Sequence, residues 1–366
     1  MSFSVHPAAL NAYADQLRRA RDDAGLTKSY LDRYRVQGKA DDGLYLKLLG
    51  NSHEQAMGAA LTTIGTLVEV LNGSQYNMAA ASSYYRAADA HSAARIDATL
   101  PGVRPTRPTS IERDWRNDPC APSFRENREP ADRLVPVEAP DYDHPFSFLD
   151  YLSVSEWTLK AFEVAIGLNP LDYLTEKLAG DWEAFGKAGK ALGNSANAVH
   201  DVAHNVQGGD IALRSFWTGN AASAADRYFT MLATKSDDIV DPLREASKEY
   251  DSLAVGIWNA SQYLSGTVKN MVDNAIIAGI AFAAGTITIE SGIGPIIGYS
   301  GGAFALAMII IEWNAALEVV TDIYNRVQLC IGVIQSAGAK LYNARFPDIG
   351  TDAYHHPLAD RPAEVR

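Results

Sequence analysis

The chain has 366 residues, 47% of them hydrophobic, so its length allows two or three folded domains with a sizeable core. Charged residues make up 21% and the net charge is -12, which argues against wholesale disorder and against a nucleic-acid-binding surface. Anionic lipid headgroups would also repel so acidic a chain. The two cysteines, Cys120 and Cys330, are too few for a disulfide framework and lack metal-site spacing, although one disulfide between them stays open.

Two long amphipathic helices are predicted within residues 1–100. The first spans about 5–36, with Ser4 as a candidate N-cap and Pro7 in the first turn. The second spans about 53–97 and keeps apolar residues at heptad spacing, which predicts a coiled-coil-like seam weakened by polar residues in its second half. The two helices would form a hairpin, and because a two-helix hairpin cannot bury its apolar stripe alone, it needs a partner.

Residues 101–145 contain nine of the sixteen prolines and show neither helical nor strand periodicity. They are predicted to be a Pro-rich, partly extended linker between two folded pieces. Residues 146–270 return to helical patterns. They predict two or three helices broken near Asn169-Pro170, then a turn and a helix over about 220–270.

The most apolar stretch is AIIAGIAFAAGTITIESGIGPIIGYSGGAFALAMIII at 275–311, within a C-terminal region 271–345. Glu290 and the glycines after it divide this stretch into two arms, each shorter than the roughly 20 residues that span a bilayer. Two interpretations stay open: a buried helical hairpin with close backbone contact, or a hairpin that inserts into a membrane. A last helix is expected at about 312–344, followed by an exposed tail at 346–366.

The stretch SFWTGNAASAADRYF, residues 215–229, places a Trp, one spacer and a Gly between two predicted helices. Through Trp217 and Gly219 it resembles the WXG superfamily, small helical-hairpin proteins exported by the type VII (ESX) secretion systems of actinobacteria. Glycine permits the close turn or positive φ that other residues resist. Trp217 would either close the end of the hairpin or stay exposed as an anchor for a partner.

The N-terminal hairpin resembles the Esp-type secreted proteins of the same systems. Their export signal, Tyr-x-x-x-Asp/Glu, follows the second helix, and the matching residues here are Tyr85 and Asp89 of YRAAD. A spacing of four places both residues on one helical face, where a receptor could read an aromatic ring and a carboxylate together. The alternative is seam packing by the tyrosine beside a solvated acid.

The first hairpin has the Tyr motif without Trp-x-Gly, and the second, at about 182–265, has the reverse. Members of the family commonly form antiparallel hairpin dimers with the Trp turn of one beside the Tyr motif of the other. The resemblance therefore implies a fused heterodimer in which Trp217 and Tyr85 lie close together; alternatively, each hairpin pairs with a separate protein. The expected fold is all-α: two hairpins, packed together in one arrangement as a four-helix bundle, plus the apolar hairpin and last helix.

The sequence offers little support for catalysis. HDVAH at 200–204 has two histidines one turn apart, but Asp201 stands where zinc proteases have Glu and no third ligand is evident, so solvated histidines are expected. GIGPIIGYSGG at 292–302 lacks a following Lys-Ser/Thr and does not follow a predicted strand, which argues against a phosphate loop. We expect no catalytic residue, metal or cofactor.

These features predict a secreted or cell-surface substrate or effector of a type VII system that acts by protein contacts. The N-terminus lacks a Sec-type signal, so export would depend on recognition by the system's ATPase or a chaperone. The expected recognition residues are Tyr85, Asp89, Trp217 and Gly219. A small WXG-type partner or self-association is expected, and nucleic acid is not.

The alternatives are a membrane-active effector, through 275–311, and the N-terminal delivery part of a toxin. Residues 345–366, after the last predicted helix, are too few for a catalytic domain.

Overall fold

The computed structural model describes residues 3–36, 39, 42–103, 107–138, 145–149, 154–284, 301–346 and 354–357. Most of these residues are helical, so the predicted all-α class is confirmed. The helices are α1 (Pro7–Asp32), α2 (Leu44–Ala87), α3 (Ala90–Asp97), α4 (Ser110–Arg116), α5 (Glu156–Ile166), α6 (Pro170–Leu178), α7 (Trp182–Leu213), α8 (Asn220–Asp238), α9 (Val240–Ala283) and α10 (Gly301–Tyr342). Short 3-10 turns occupy Pro130–Arg133 and Ser147–Leu149, and two antiparallel strands, β1 (Ser4–Val5) and β2 (Trp217–Thr218), pair with each other.

Five long helices enclose the core as a ring in which each helix packs against two neighbours. The order is α1, α2, α10, α9, α7 and back to α1. Each helix turns an apolar stripe inward, as expected for amphipathic helices that cannot bury their apolar faces alone. The α1–α2 pair is the predicted first hairpin. Because α10 lies between α2 and α9, the ring contains five helices rather than the four of the predicted bundle.

A polar pair lies at the centre of the ring. The Tyr250 hydroxyl of α9 and Nδ1 of His53 on α2 form a hydrogen bond of 2.5 Å, and Phe185 of α7 packs against both rings. Burial lowers the pKa of His53 to about 4, and the nearby Arg35 charge acts in the same direction. The imidazole is therefore neutral at pH 7, and its hydrogen bond offsets the cost of placing a polar group in the core.

The N-terminal helices differ in their bounds from the prediction. His6, not Ser4, is the N-cap residue of α1, because Ser4 lies in β1. The second helix begins at Leu44 instead of about 53, where the Gly43 amide donates to the Ala179 carbonyl at 2.7 Å. It ends at Ala87, and the predicted remainder is the separate short helix α3.

The helix predicted over about 220–270 is two helices, α8 and α9, separated at Ile239. Pro242 explains the break, because proline lacks an amide hydrogen and is tolerated in the first turn of a helix but not in its interior. The predicted break near Asn169-Pro170 is present: Asn169 caps α6 through its side chain, and Pro170 is the first helical residue.

The longest described part of the expected linker, residues 107–138, is packed rather than extended between two pieces. It includes α4, and Trp115 on α4 is 5% exposed, with Nε1 donating to the His204 carbonyl of α7 at 2.6 Å. Further along, Arg133 Nε donates to the Asp201 carboxylate at 2.6 Å. An aromatic anchor and an ion pair therefore fix this segment on α7. The division of the chain into domains stays a prediction.

The apolar region 275–311 continues α9 to Ala283 and resumes at Gly301 as α10, which includes the predicted last helix; residues 285–300 lie outside the described part. The two helices bury their facing sides, at Ala278 and Ile309 for example, and leave large apolar side chains exposed on the other sides. Among the described helices, only α10 is long and apolar enough to span a bilayer, and 33% of its most apolar 18-residue stretch is buried. The inner sides of α9 and α10 are therefore buried, as the buried-hairpin interpretation requires, whereas their outer sides are exposed.

The expected exposed tail contains buried residues. Phe346, Tyr354 and His356 are 5%, 2% and 1% exposed, so part of the tail packs into the core. Neither cysteine forms a disulfide: Cys120 is exposed and Cys330 is buried.

Candidate functional site

The Trp-Thr-Gly turn connects the end of α7 to the start of α8 and is held by the N-terminus of the chain. Trp217 pairs with Val5 and Thr218 with Ser4 in the antiparallel strand pair. The Ser4 and Thr218 hydroxyl oxygens are 2.9 Å apart, and the His6 amide donates to the Phe216 carbonyl at 2.9 Å. The residues before α1 therefore fix the turn's backbone.

Glycine is required at position 219 for two reasons. Its φ of 130° is one that L side chains rarely adopt. In addition, a Cβ there would lie 2.5 Å from Oδ2 of Asp97. Asp97, at the end of α3, is 4% exposed and accepts hydrogen bonds of 2.8 Å from the amides of Asn220 and Ala221. The carboxylate satisfies amides that the start of α8 leaves unpaired.

Tyr85 and Trp217 are in contact, as the composite-signal hypothesis requires. Their ring centroids are 5.9 Å apart and the rings are tilted by 70°, an edge-to-face arrangement favoured by aromatic pairs. Tyr85 comes from the last turn of α2, so the contact joins the two hairpin regions of the chain. Burial raises the pKa of Tyr85 well above its usual value, and the Asp97 carboxylate adds to the rise.

Both rings are buried. Trp217 is 2% exposed and Tyr85 is 6% exposed, so in this state the tryptophan closes the end of the helix pair rather than standing out as an anchor. Phe3 packs on Tyr85 from the N-terminal segment. From the C-terminal segment, His356 lies 5.2 Å from Tyr85 and 5.9 Å from Trp217 between ring centroids.

The C-terminal cover is anchored next to this contact. The Tyr354 amide donates to the Ser74 hydroxyl at 3.0 Å, and the Asn77 side chain donates to the Tyr354 carbonyl. The Tyr354 ring packs against Tyr228 and Phe229 of α8. Two segments distant in sequence, 3–6 and 354–357, therefore cover the aromatic pair.

The prediction that Tyr85 and Asp89 share one helical face is wrong. The helix ends at Ala87, and both Ala88 and Asp89 have extended backbone. Asp89 instead caps α3, accepting a hydrogen bond of 2.9 Å from the Ser92 amide, and this bond lowers the pKa of the exposed carboxyl. The tyrosine is therefore buried while the acid faces solvent.

A cavity of about 360 Å³ lies beside the turn, between α7 and α8. Arg214 donates to Asp226 at 2.5 Å and to Glu112 at 3.1 Å, and lies 3.5 Å from the buried Asp210. Burial raises the pKa of Asp210 well above its usual value, and the charge of Asp226 adds to this. The cavity wall thus combines one cation, Arg214, and two carboxyl groups, Asp210 and Asp226, with residues of the Trp turn.

The two histidines of HDVAH are not solvated as expected. His204 is fully buried and stacks on Trp115 at 4.2 Å, and its pKa is lowered to about 4 by burial and then by the Arg128 charge. His200 donates from Nδ1 to Asp237 at 2.7 Å and accepts from Arg128 at 2.8 Å. Arg128 therefore lies beside the two histidines, where a metal ion bound by both would have to sit.

Across the described ranges, no group of three or more His, Cys, Asp or Glu side chains could hold a metal ion. The glycine-rich stretch GIGPIIGYSGG lies outside the described residues except for its last two positions.

Sequence reasoning missed three residues of this site: Asp97, Tyr354 and His356. Asp97 ends a short helix and has no local feature that indicates a distant partner. The aromatic residues of the tail were a usable signal, because large apolar side chains in a polar segment favour burial.

Comparison with protein-family models, curated proteins and solved structures finds no significant match for this chain.

Proposed function

We propose that this chain is a secreted substrate or effector of a type VII secretion system, recognised at the site formed by Tyr85, Asp89, Trp217 and Gly219. It would act through protein contacts rather than catalysis. The observation that carries the proposal is the contact between Tyr85 and Trp217, two residues far apart in sequence that the resemblance predicts to form one signal.

The local chemistry supports a shared role for the two motifs. Asp97 follows the Tyr motif in sequence and caps the helix that follows the Trp turn, so the two elements form one structural unit. A receptor that binds one element would also sense the position of the other.

The burial of both rings limits how a receptor could read them. Exposed groups beside the site include the Asp89 carboxylate and Phe216, whose side chain is 41% exposed. We infer that the ATPase or chaperone first contacts these exposed groups. Reading the Tyr85 and Trp217 rings then requires displacement of the segments that cover them.

The test is export from the native host with the type VII ATPase intact or deleted. Tagged wild-type chain is expected in the culture filtrate only when the ATPase is present. Asp89→Asn is the sharpest variant, because asparagine is also a good N-cap and the change removes only the charge. We expect Asp89→Asn to reduce export, and Asp251→Asn, at an exposed acid on α9, to leave it unchanged.

Trp217→Phe tests the buried half of the site and keeps an aromatic ring at this position. A thermal melt on each purified variant separates lost recognition from lost folding. Filtrate levels that are the same with and without the ATPase would refute the proposal. If the chain stays inside the cells of every strain, it would be treated as an intracellular scaffold or chaperone.

A further inference from the structure

The outer sides of α9 and α10 form an exposed apolar surface near the ends that the connection 285–300 joins. Its side chains are between 43% and 69% exposed, and we name them the distal apolar surface: Ile276, Ile277, Ile280, Phe304, Ile310 and Ile311. Isolated exposed apolar residues are ordinary, but a contiguous set on two adjacent helices indicates an interaction site.

The charged residues nearest to the connection are Asp273 on α9 and Glu312 on α10. Asn270 of α9 donates to Glu312 of α10 at 3.4 Å, which fixes the relative register. Beyond Asp273 and Glu312, residues 274–284 and 301–311 contain no charged residue. At 1.5 Å per residue each uncharged stretch is about 16 Å long.

The connection 285–300 continues this composition, since its sequence contributes a single charged residue, Glu290. A helix pair that is apolar on its buried and exposed sides alike is typical of a protein core or a membrane segment. The outer sides of α9 and α10 are exposed, so a protein core does not account for their apolar composition.

Helix α5 packs against both α9 and α10. A Cβ on Gly279 would lie 3.2 Å from the Trp157 backbone, so Trp157 adjoins the uncharged part of α9. Trp157 is 50% exposed, and tryptophan is the side chain that favours the boundary between acyl chains and headgroups.

We propose that the distal apolar surface inserts into the acyl region of a lipid bilayer, with α5 at the level of the headgroups. Because Trp157 lies beside Gly279, about five residues of α9 extend beyond α5, roughly 7 Å, which is a typical depth for an apolar face buried at the boundary of headgroups and acyl chains. Lipid is favoured over a protein partner because α10 is long and apolar enough to span a bilayer, and an exposed tryptophan lies beside the uncharged part of α9. The net charge of -12 favours uncharged lipids over anionic ones.

The test is flotation of the purified full chain with vesicles of uncharged phosphatidylcholine. The variant carries Ile280→Glu and Phe304→Glu, at positions 65% and 69% exposed, so its fold should be retained. The matched control is Leu329→Glu on α10, which is 62% exposed and lies outside the uncharged stretch. Wild type and control should float, and the double variant should lose binding by about tenfold or more, because charge is costly in the acyl region.

Depth is measured with brominated lipids, which should quench wild-type fluorescence more than that of Trp157→Phe. Wild type that does not float, or a double variant that floats as well as wild type, would overturn the proposal. So would concentration-dependent dimers that the double variant disperses without any vesicle binding, since the occupant would then be a second copy. The assay does not involve export, so its result is independent of the proposed secretion role.

Discussion

Asn220 donates two hydrogen bonds to Asp97, one to its carboxylate and one to its backbone carbonyl. The Asn220 amide donates to Oδ2 of Asp97 at 2.8 Å, and its side-chain nitrogen donates to the Asp97 carbonyl at 3.1 Å. A carboxylate at a helix N-terminus is also favoured by the helix dipole. This pair ties the end of the first hairpin region to the start of α8, and it places Gly219 where no side chain fits.

We predict that Gly219→Ala destabilises the protein by about 2–4 kcal/mol, because alanine adds strain at positive φ and a clash with Asp97. Urea unfolding monitored by circular dichroism measures the change. The matched control is Gly266→Ala in α9, where a new Cβ meets nothing within 4 Å. Because alanine is the better helix former, the control should be stabilised by about 0.5–1 kcal/mol. Equal effects at the two positions would contradict the geometry of the turn.

The sequence predicted most of the long helices and part of the site, for one physical reason. Apolar spacing is a local property, so α1, α7 and most of α2 could be recognised from it. Helix ends depended on distant partners, such as Ala179 for the start of α2. Trp217 and Tyr85 could likewise be recognised because they lie in short motifs. The rings that Tyr354 contacts come from a distant part of the chain, so the sequence does not identify them.

We predict that the C-terminal segment shields Trp217 from solvent. Replacing Tyr354 and His356 together by alanine removes the rings that cover the aromatic pair, so acrylamide should quench Trp217 more strongly. Subtracting the signal of the same variant with Trp217→Phe isolates this residue from the other five tryptophans. His355→Ala, at the neighbouring exposed position, is the control and should leave quenching unchanged. Unaltered quenching in the double variant would show that the segment is not the cover.

We predict that His356 makes stability depend on pH between about 4 and 6.5. Burial, with a smaller effect of His355, lowers its folded pKa to about 4 from the ordinary 6.5. The unfolded state therefore binds a proton that the folded state does not, and stability is full above pH 6.5 and falls as the pH decreases towards 4. The slope is at most about 1.4 kcal/mol per pH unit for one group.

Other groups titrate in the same range, so the test is a difference between variants. His53 and His204 act in the same direction as His356, whereas the raised pKa of Asp23, about 6, acts in the opposite direction. Urea unfolding at several pH values should give a shallower slope for His356→Gln than for wild type. Parallel curves for the two proteins would mean that folding does not lower the pKa of His356.

We predict that the segment 107–138 is a structural part of the fold, held chiefly by Trp115. Trp115→Ala should cost about 3–5 kcal/mol, because it removes a buried ring stacked on His204 together with its hydrogen bond. The control is Val135→Ala in the same segment, where the side chain is 53% exposed and the expected change is within about 0.5 kcal/mol.

Trypsin should cleave the segment slowly in wild type and in the control, and rapidly in Trp115→Ala. Rapid cleavage of the wild-type segment in the folded protein would instead support the extended linker that its prolines suggest.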